Sequence, residues 1–276
     1  MTEDHLLAAR LAADHGPLRL KAPRRRRLAT HGAHMKRRAG SGADFWQYRA
    51  LAPGEAATRI DWRRSSRSDD LYVRERERED TARLILDLDG SPSMRFSSSA
   101  EIPEKWQRGR VLLTAIAEAA LSGGEAVSIP SRGALRRGAD AWDALAETVT
   151  DLDARAGDTV IVASDFLRSD MKDVPERLAS QGAACMMLLI IDPAEAEFPF
   201  AGRVRFLPVA SGTDPRDMQR AEQARDEYLA AWQAHCDELR DRAKQADAPL
   251  LSIRTDDVVV DQYRRLRAVL AGENAA

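Results

Sequence analysis

Short, wholly apolar runs alternate along this chain with longer amphipathic stretches. Residues 82–89, 125–130, 159–164, 184–191 and 250–254 are runs of four to eight mostly apolar positions that end in polar residues, and they read as buried strands; 204–207 is a weaker one. Between them, 104–121 carries Val111, Leu112, Ala115, Ile116 and Ala119 on one helical face, with Pro103 at its start and Gly123-Gly124 as its stop. The spacing also predicts helices over 139–152, 172–180, 215–246 (with Pro215 near its first turn) and 258–271. Strands alternating with helices imply an α/β fold with a doubly wound, mostly parallel sheet.

The first 80 residues break this rhythm. Between Arg10 and Arg49 eleven Lys or Arg stand against two acids, Asp14 and Asp44, with dense runs at Arg24–Arg27 and Lys36–Arg38. From 43 to 80 apolar runs are scarce, charges are many, and Arg74–Asp80 alternates in sign, as a solvated strand face would. The expected organisation is therefore a basic segment at 1–42, a β-rich region at 43–80 and the α/β domain at 81–276. The basic segment lacks interleaved aromatics, so nucleic-acid binding is not expected.

The whole chain of 276 residues carries a net charge of −2, and 44% of it is hydrophobic, enough for a substantial core. No apolar run approaches the roughly 18–20 residues that span a bilayer. Residues 1–20 lack the apolar stretch of a signal peptide. Cys185 and Cys236 have no metal-binding spacing, and Cys185 lies in an apolar run as a buried thiol would. The five His form no defensible triad.

The candidate chemistry sits where the first apolar run ends, in Asp87-Leu88-Asp89-Gly90-Ser91-Pro92-Ser93-Met94. In open α/β sheets ligand groups collect beyond the carboxyl ends of strands. Asp89, Ser91 and Ser93 alternate, and all carry oxygen. A hard cation such as Mg²⁺ or Mn²⁺ takes one or two carboxylates, hydroxyls and waters. Asp89-Gly90-Ser91-Pro92-Ser93 resembles the first motif, Asp-x-Ser-x-Ser, of the metal-ion-dependent adhesion site of von Willebrand factor A domains. A second block narrows the resemblance. Residues 48–55 (Tyr-Arg-Ala-Leu-Ala-Pro-Gly-Glu) are followed by Arg59-Ile60-Asp61-Trp62, Ser66-Arg67 and Leu71-Tyr72-Val73-Arg74-Glu75. This order resembles the bacterial domain-of-unknown-function-58 family over roughly residues 43–96.

The resemblance implies a cytoplasmic protein with a von Willebrand A-like, Rossmann-like domain. It also implies a non-catalytic protein-interaction module acting with a MoxR-type AAA+ ATPase, in which Asp89, Ser91, Ser93 and Asp165 hold Mg²⁺ or Mn²⁺ and a partner's carboxylate completes the shell. The Thr that such a site also uses is missing; only Asp140 offers a side-chain oxygen in the loop before the second major helix. Two other roles follow from the residues. Trp62 and Asp61 are expected to fold inward, Trp62 buried and Asp61 paired to an Arg; the alternative is that Trp62 is an aromatic anchor beside a recognition surface of Arg59, Arg63, Arg64 and Arg67. The rival reading is a haloacid-dehalogenase-like phosphatase with Asp87 as nucleophile and Asp89 as general acid/base. It would take Ser164 and Asp256-Asp257 as further motifs, but needs a late Lys that neither Lys172 nor Lys244 supplies well.

Overall fold

The computed structural model describes residues 2–21, 39–50, 61–66, 71–77, 82–146, 152–207 and 214–273. The runs Arg24–Arg27 and Lys36–Arg38, together with Arg59, Ile60 and Arg67, lie outside the described residues. The chain divides into two compact units, one of residues 1–26 with 82–276 and one of residues 27–81.

The larger unit opens with α1 (Glu3–His15), whose amino end is capped by the Thr2 side chain. The smaller unit holds β1 (Ala39–Ala50), the one-turn helix α2 (Trp62–Ser65) and β2 (Tyr72–Glu77), with β1 and β2 antiparallel. In α2 the polar residues make the local contacts. Asp61 accepts from Arg64 N–H (3.0 Å), and the Ser65 hydroxyl donates to Asp61 C=O (2.9 Å) while accepting from Tyr72 N–H (2.9 Å). Trp62 is turned away from these contacts and is 64% exposed, which corrects the expectation that it is buried.

The larger unit continues with β3 (Arg83–Leu88), α3 (Lys105–Ser122), β4 (Ala126–Ile129), β5 (Gly133–Ala134), α4 (Asp140–Ala144), β6 (Thr159–Ser164), α5 (Ser169–Lys172), α6 (Val174–Ser180) and β7 (Ala184–Ile191). It ends with α7 (Pro193–Glu197), β8 (Val204–Phe206), β9 (Arg216–Met218), α8 (Arg225–Ala246), β10 (Leu250–Arg254) and α9 (Val259–Ala271). Six strands form one sheet in the order β10-β7-β6-β3-β4-β5, parallel except for β5. The central strands are covered on both faces, which is why their sequences are continuously apolar rather than alternating. Leu84, Leu86 and Leu88 join α3 and α9 in one layer; Ile85, Val160, Val162, Met187 and Leu189 join residues of α6 and α8 in the other. This is the doubly wound architecture that the alternation of elements predicts. Gly109 lets α3 approach the sheet: a Cβ there would stand 2.7 Å from Leu88 Cδ1 and 2.8 Å from Ile190 Cδ1.

Three departures from expectation are the largest. The predicted helix over 215–246 begins at Arg225, because 216–218 pair antiparallel with β8 and 221–224 form a 3₁₀ turn. The helix expected over 139–152 is cut to Asp140–Ala144, since its terminal carbonyls are taken from outside. Arg110 Nε donates to Trp142 C=O and the Ser131 hydroxyl to Ala144 C=O, both at 2.8 Å. Residues 147–151 lie outside the described residues. The third is α1, absent from the sequence reading, which buries Ala8, Leu11 and Ala12 in the α3 layer. The segment after it is pinned by Leu18 N–H to Ala119 C=O (2.8 Å), Leu20 N–H to Glu125 Oε1 (2.9 Å), Lys21 N–H to Leu270 C=O (2.9 Å), and Arg267, which donates to the carbonyls of His15, Gly16 and Pro17.

Candidate functional site

The ends of β3 and β6 build the candidate site. Parallel pairing runs to Leu88 opposite Ala163, and Asp89 N–H extends it by donating to Ala163 C=O (2.9 Å). The next residues on both strands are polar and buried: Asp89, Ser91, Ser164 and Asp165. Asp89 Oδ1 accepts from Ser91 N–H at 2.8 Å, folding the loop back on the strand end, and Asp89 Oδ2 accepts from the Ser164 hydroxyl at 2.6 Å. Pro92 starts a 3₁₀ turn over Pro92–Arg95, which places the Ser91 and Ser93 hydroxyls 3.1 Å apart. On the β6 side, the Ser164 hydroxyl also accepts from Phe166 N–H (2.8 Å). Phe166 is fully buried with φ 54°, a left-handed backbone that costs a bulky residue energy and that surrounding contacts must hold in place.

Asp89, Ser91 and Ser93 thus share one loop, and Asp165 follows the adjacent strand, but Asp165 has a partner that the sequence reading did not foresee. Its Oδ2 accepts from Lys105 Nζ at 2.9 Å and its Oδ1 from Leu167 N–H at 3.1 Å. Lys105, the first residue of α3, is completely buried, and its ammonium also donates to Glu195 Oε1 of α7 at 2.5 Å. Glu195 Oε2 in turn accepts from Asp192 N–H (2.9 Å), and Asp192 accepts from Ala194 N–H and Ser98 N–H. Burial raises the Glu195 carboxyl above its ordinary pKa; Lys105 opposes that and Asp165 adds to it. His235 Nε2 lies 3.0 Å from Asp165 C=O, and burial pushes its imidazole pKa down.

These contacts test the metal hypothesis. The Asp165 carboxylate is already satisfied, and its Oδ2 faces an ammonium that would repel a second cation. Both Asp89 oxygens accept protein hydrogen bonds. Asp140 is paired with Arg137 at 3.4 Å. Among the described residues no group of three or more His, Cys, Asp or Glu could hold a metal ion. The set Asp89, Ser91, Ser93 and Asp165 therefore does not fit a divalent cation as a unit; only the loop Asp89–Ser93 retains the pattern. Asp89 is also only 4% exposed.

Asp87, two residues before Asp89, stands between Leu86 and Leu88 on β3, and all three line a small cleft with Ile129, Pro130, Ser131 and Leu145. Its pKa is pushed up to about 7, first by burial and then by Asp89, against the opposing charge of Arg177. A carboxyl with such a pKa is only about half ionised at neutral pH. The other parts of the phosphatase reading are engaged elsewhere: Ser164 with Asp89, Asp256 with Arg254, and Lys172 with Glu238.

Fold and site together define a three-layer α/β protein with a polar cluster at the carboxyl end of a mostly parallel sheet. The chain belongs to the family described as "Protein of unknown function DUF58", which it matches over residues 47–134 and 133–238. Two similar relatives are "Uncharacterized protein Rv1480" of Mycobacterium tuberculosis and "Uncharacterized protein Mb1516" of Mycobacterium bovis. Each is 27% identical over 95% of this chain and 92% of its own length. A crystal structure of the conserved hypothetical protein BatB from Bacteroides thetaiotaomicron aligns with a TM-score of 0.38 and 14% identity, over 68% of this chain and 99% of that one. Among the described residues no helix is long and apolar enough to cross a membrane.

Proposed function

We propose that this DUF58 chain is a non-catalytic, von Willebrand A-like interaction module of the cytoplasm that docks a MoxR-type AAA+ ATPase at the carboxyl end of its parallel sheet. One observation carries the reading. The acids that a reaction would recruit at that end, Asp89 and Asp165, are buried and committed to protein donors, while on the loop next to Asp165 the apolar side chain of Leu167 is 49% exposed. A buried, hydrogen-bonded polar floor leaves no free acid for turnover, and the apolar side chain beside it gives a partner a contact. The nature of the partner follows from the family resemblance of residues 43–96, and the match over 47–134 supports the family part of that resemblance.

The test is co-purification of the full chain with a MoxR-type ATPase encoded in the same genome. Leu167→Asp is expected to weaken the complex at least about tenfold, the scale of a lost hot spot, without changing the melting temperature. No complex with the native chain would refute the partner, and an undiminished complex with Leu167→Asp would refute the surface. Hydrolysis of a generic phosphate ester that disappears in Asp87→Asn would replace the proposal with the phosphatase reading.

A further inference from the structure

We infer that Lys105 is a built-in cation: its ammonium does at Asp165 the work that a bound divalent ion would do, so the carboxyl end of the sheet neither requires nor takes up Mg²⁺ or Mn²⁺. The inference concerns the same end of the sheet as the proposed docking surface, but it is tested on the chain alone and stands or falls independently of any partner.

The geometry is that of a small cation site filled from within. One nitrogen lies 2.9 Å from a carboxylate oxygen at the end of β6 and 2.5 Å from another on α7, the helix after β7. Asp165 is wholly enclosed, the Glu195 side chain is 13% exposed, and Lys105 is 0% exposed. Moving an ammonium completely out of water is costly unless carboxylates meet it with good hydrogen bonds, and here two do. The ammonium also joins three elements that are distant in sequence, the amino end of α3 and the loops after β6 and β7, as a metal ion would. Unlike a metal ion it is covalently attached, so it cannot be removed by a chelator or exchanged.

The full-length chain is melted with EDTA or with MnCl₂, and Mn²⁺ binding is followed in parallel by water-proton relaxation. The wild type is expected to give the same Tm in both solutions and to show no Mn²⁺ uptake. Lys105→Met keeps the length of the side chain and leaves two carboxylates facing the vacated position. It is expected to melt lower in EDTA and to gain about 3–6 °C when Mn²⁺ exceeds its dissociation constant about tenfold. Asp165→Asn in the Lys105 background should remain indifferent to Mn²⁺. The inference is overturned if wild-type Tm rises with Mn²⁺ and Asp165→Asn removes the rise, because Asp165 would then be a metal ligand despite Lys105. It is equally overturned if Lys105→Met folds and ignores Mn²⁺, which would leave an ordinary buried ion pair. Should Lys105→Met fail to fold in EDTA, refolding in MnCl₂ decides the matter: recovery supports the surrogate cation and continued aggregation rejects it.

Discussion

The Ser164 hydroxyl donates to Asp89 Oδ2 across 2.6 Å, joining the ends of two adjacent parallel strands through side chains just where their backbone pairing stops. The same hydroxyl accepts from Phe166 N–H and so helps hold the left-handed turn that follows β6. Ser164→Ala should therefore cost roughly 1–3 kcal/mol, the penalty for leaving a buried acceptor and a buried N–H without their partner. Asp89→Ala strands two donors, Ser164 Oγ and Ser91 N–H, and should cost at least as much. Urea unfolding of the two variants checks both; a loss within about 0.5 kcal/mol, typical of surface substitutions, would show that the bond does not contribute.

Asp87 makes a prediction in pH. Its folded pKa of about 7 lies above that of the unfolded chain, near 4. The native state therefore binds more protons between these values, so this group makes stability fall as pH rises from about 4 to about 7 and level off above. Asp87→Asn cannot ionise; it should flatten that slope and exceed the wild type at pH 8 by at most about 4 kcal/mol. Melting curves from pH 4 to 8 decide it, and parallel slopes in the two proteins would contradict the burial argument.

Asp158 has the opposite sign. Burial alone would raise its carboxyl pKa, but hydrogen bonds from the Arg83 side chain, Arg83 N–H and Arg155 N–H outweigh burial and hold it below the ordinary range. Its contribution is present above the unfolded pKa and is lost as pH falls through the lowered folded value. Asp158→Asn should destabilise on the order of 2 kcal/mol at pH 7, since it breaks a nearly buried pair. The difference from wild type should shrink steadily below pH 4.

Two neighbouring glycines should fail for different reasons. A Cβ on Gly123 would stand 1.9 Å from the Leu18 carbonyl oxygen, so Gly123→Ala must push the segment after α1 away from α3. Gly124 has open space around it but φ +89°, so any L side chain there is strained. Gly124→Ala should cost about 1 kcal/mol, and Asn should be tolerated better than Ala. Gly123→Ala should cost about 1–3 kcal/mol and expose residues 2–21 to limited proteolysis. Equal protease resistance in both variants would refute the close contact.

The sheet was legible because its strands are continuously apolar: the limits of β6, β7 and β10 coincide with the apolar runs at 159–164, 184–191 and 250–254. What escaped was set by tertiary contacts. Helix α4 stops where Arg110 and Ser131 take its carbonyls, and no residue within 139–152 announces that. Helix α1 did leave a signal, Thr2 before Glu3-Asp4 and buried positions at 8, 11 and 12, which the charge of the following segment obscured. The motif Asp89–Ser93 named the right loop. Lys105 was invisible because a lysine at a helix start normally reads as solvated, and its two partners lie 60 and 90 residues away. Trp62 shows the converse, an aromatic side chain that local polar pairing leaves outside.

The docking of α1 on the α3 layer sets the order in which this polypeptide can be completed. Helix α1 is synthesised before α3, and the surface that covers Ala8, Leu11 and Ala12 emerges only after the whole 27–81 unit has been made. Until then the nascent helix must remain marginal, because a helix this short holds together mainly through tertiary packing. A ribosome-bound fragment ending near residue 80 should accordingly carry an exposed apolar stripe at its amino end, the kind of surface that chaperones bind. Removing the first 26 residues would not trim a tail; it would uncover one side of α3 and turn part of the interior into a surface prone to aggregation.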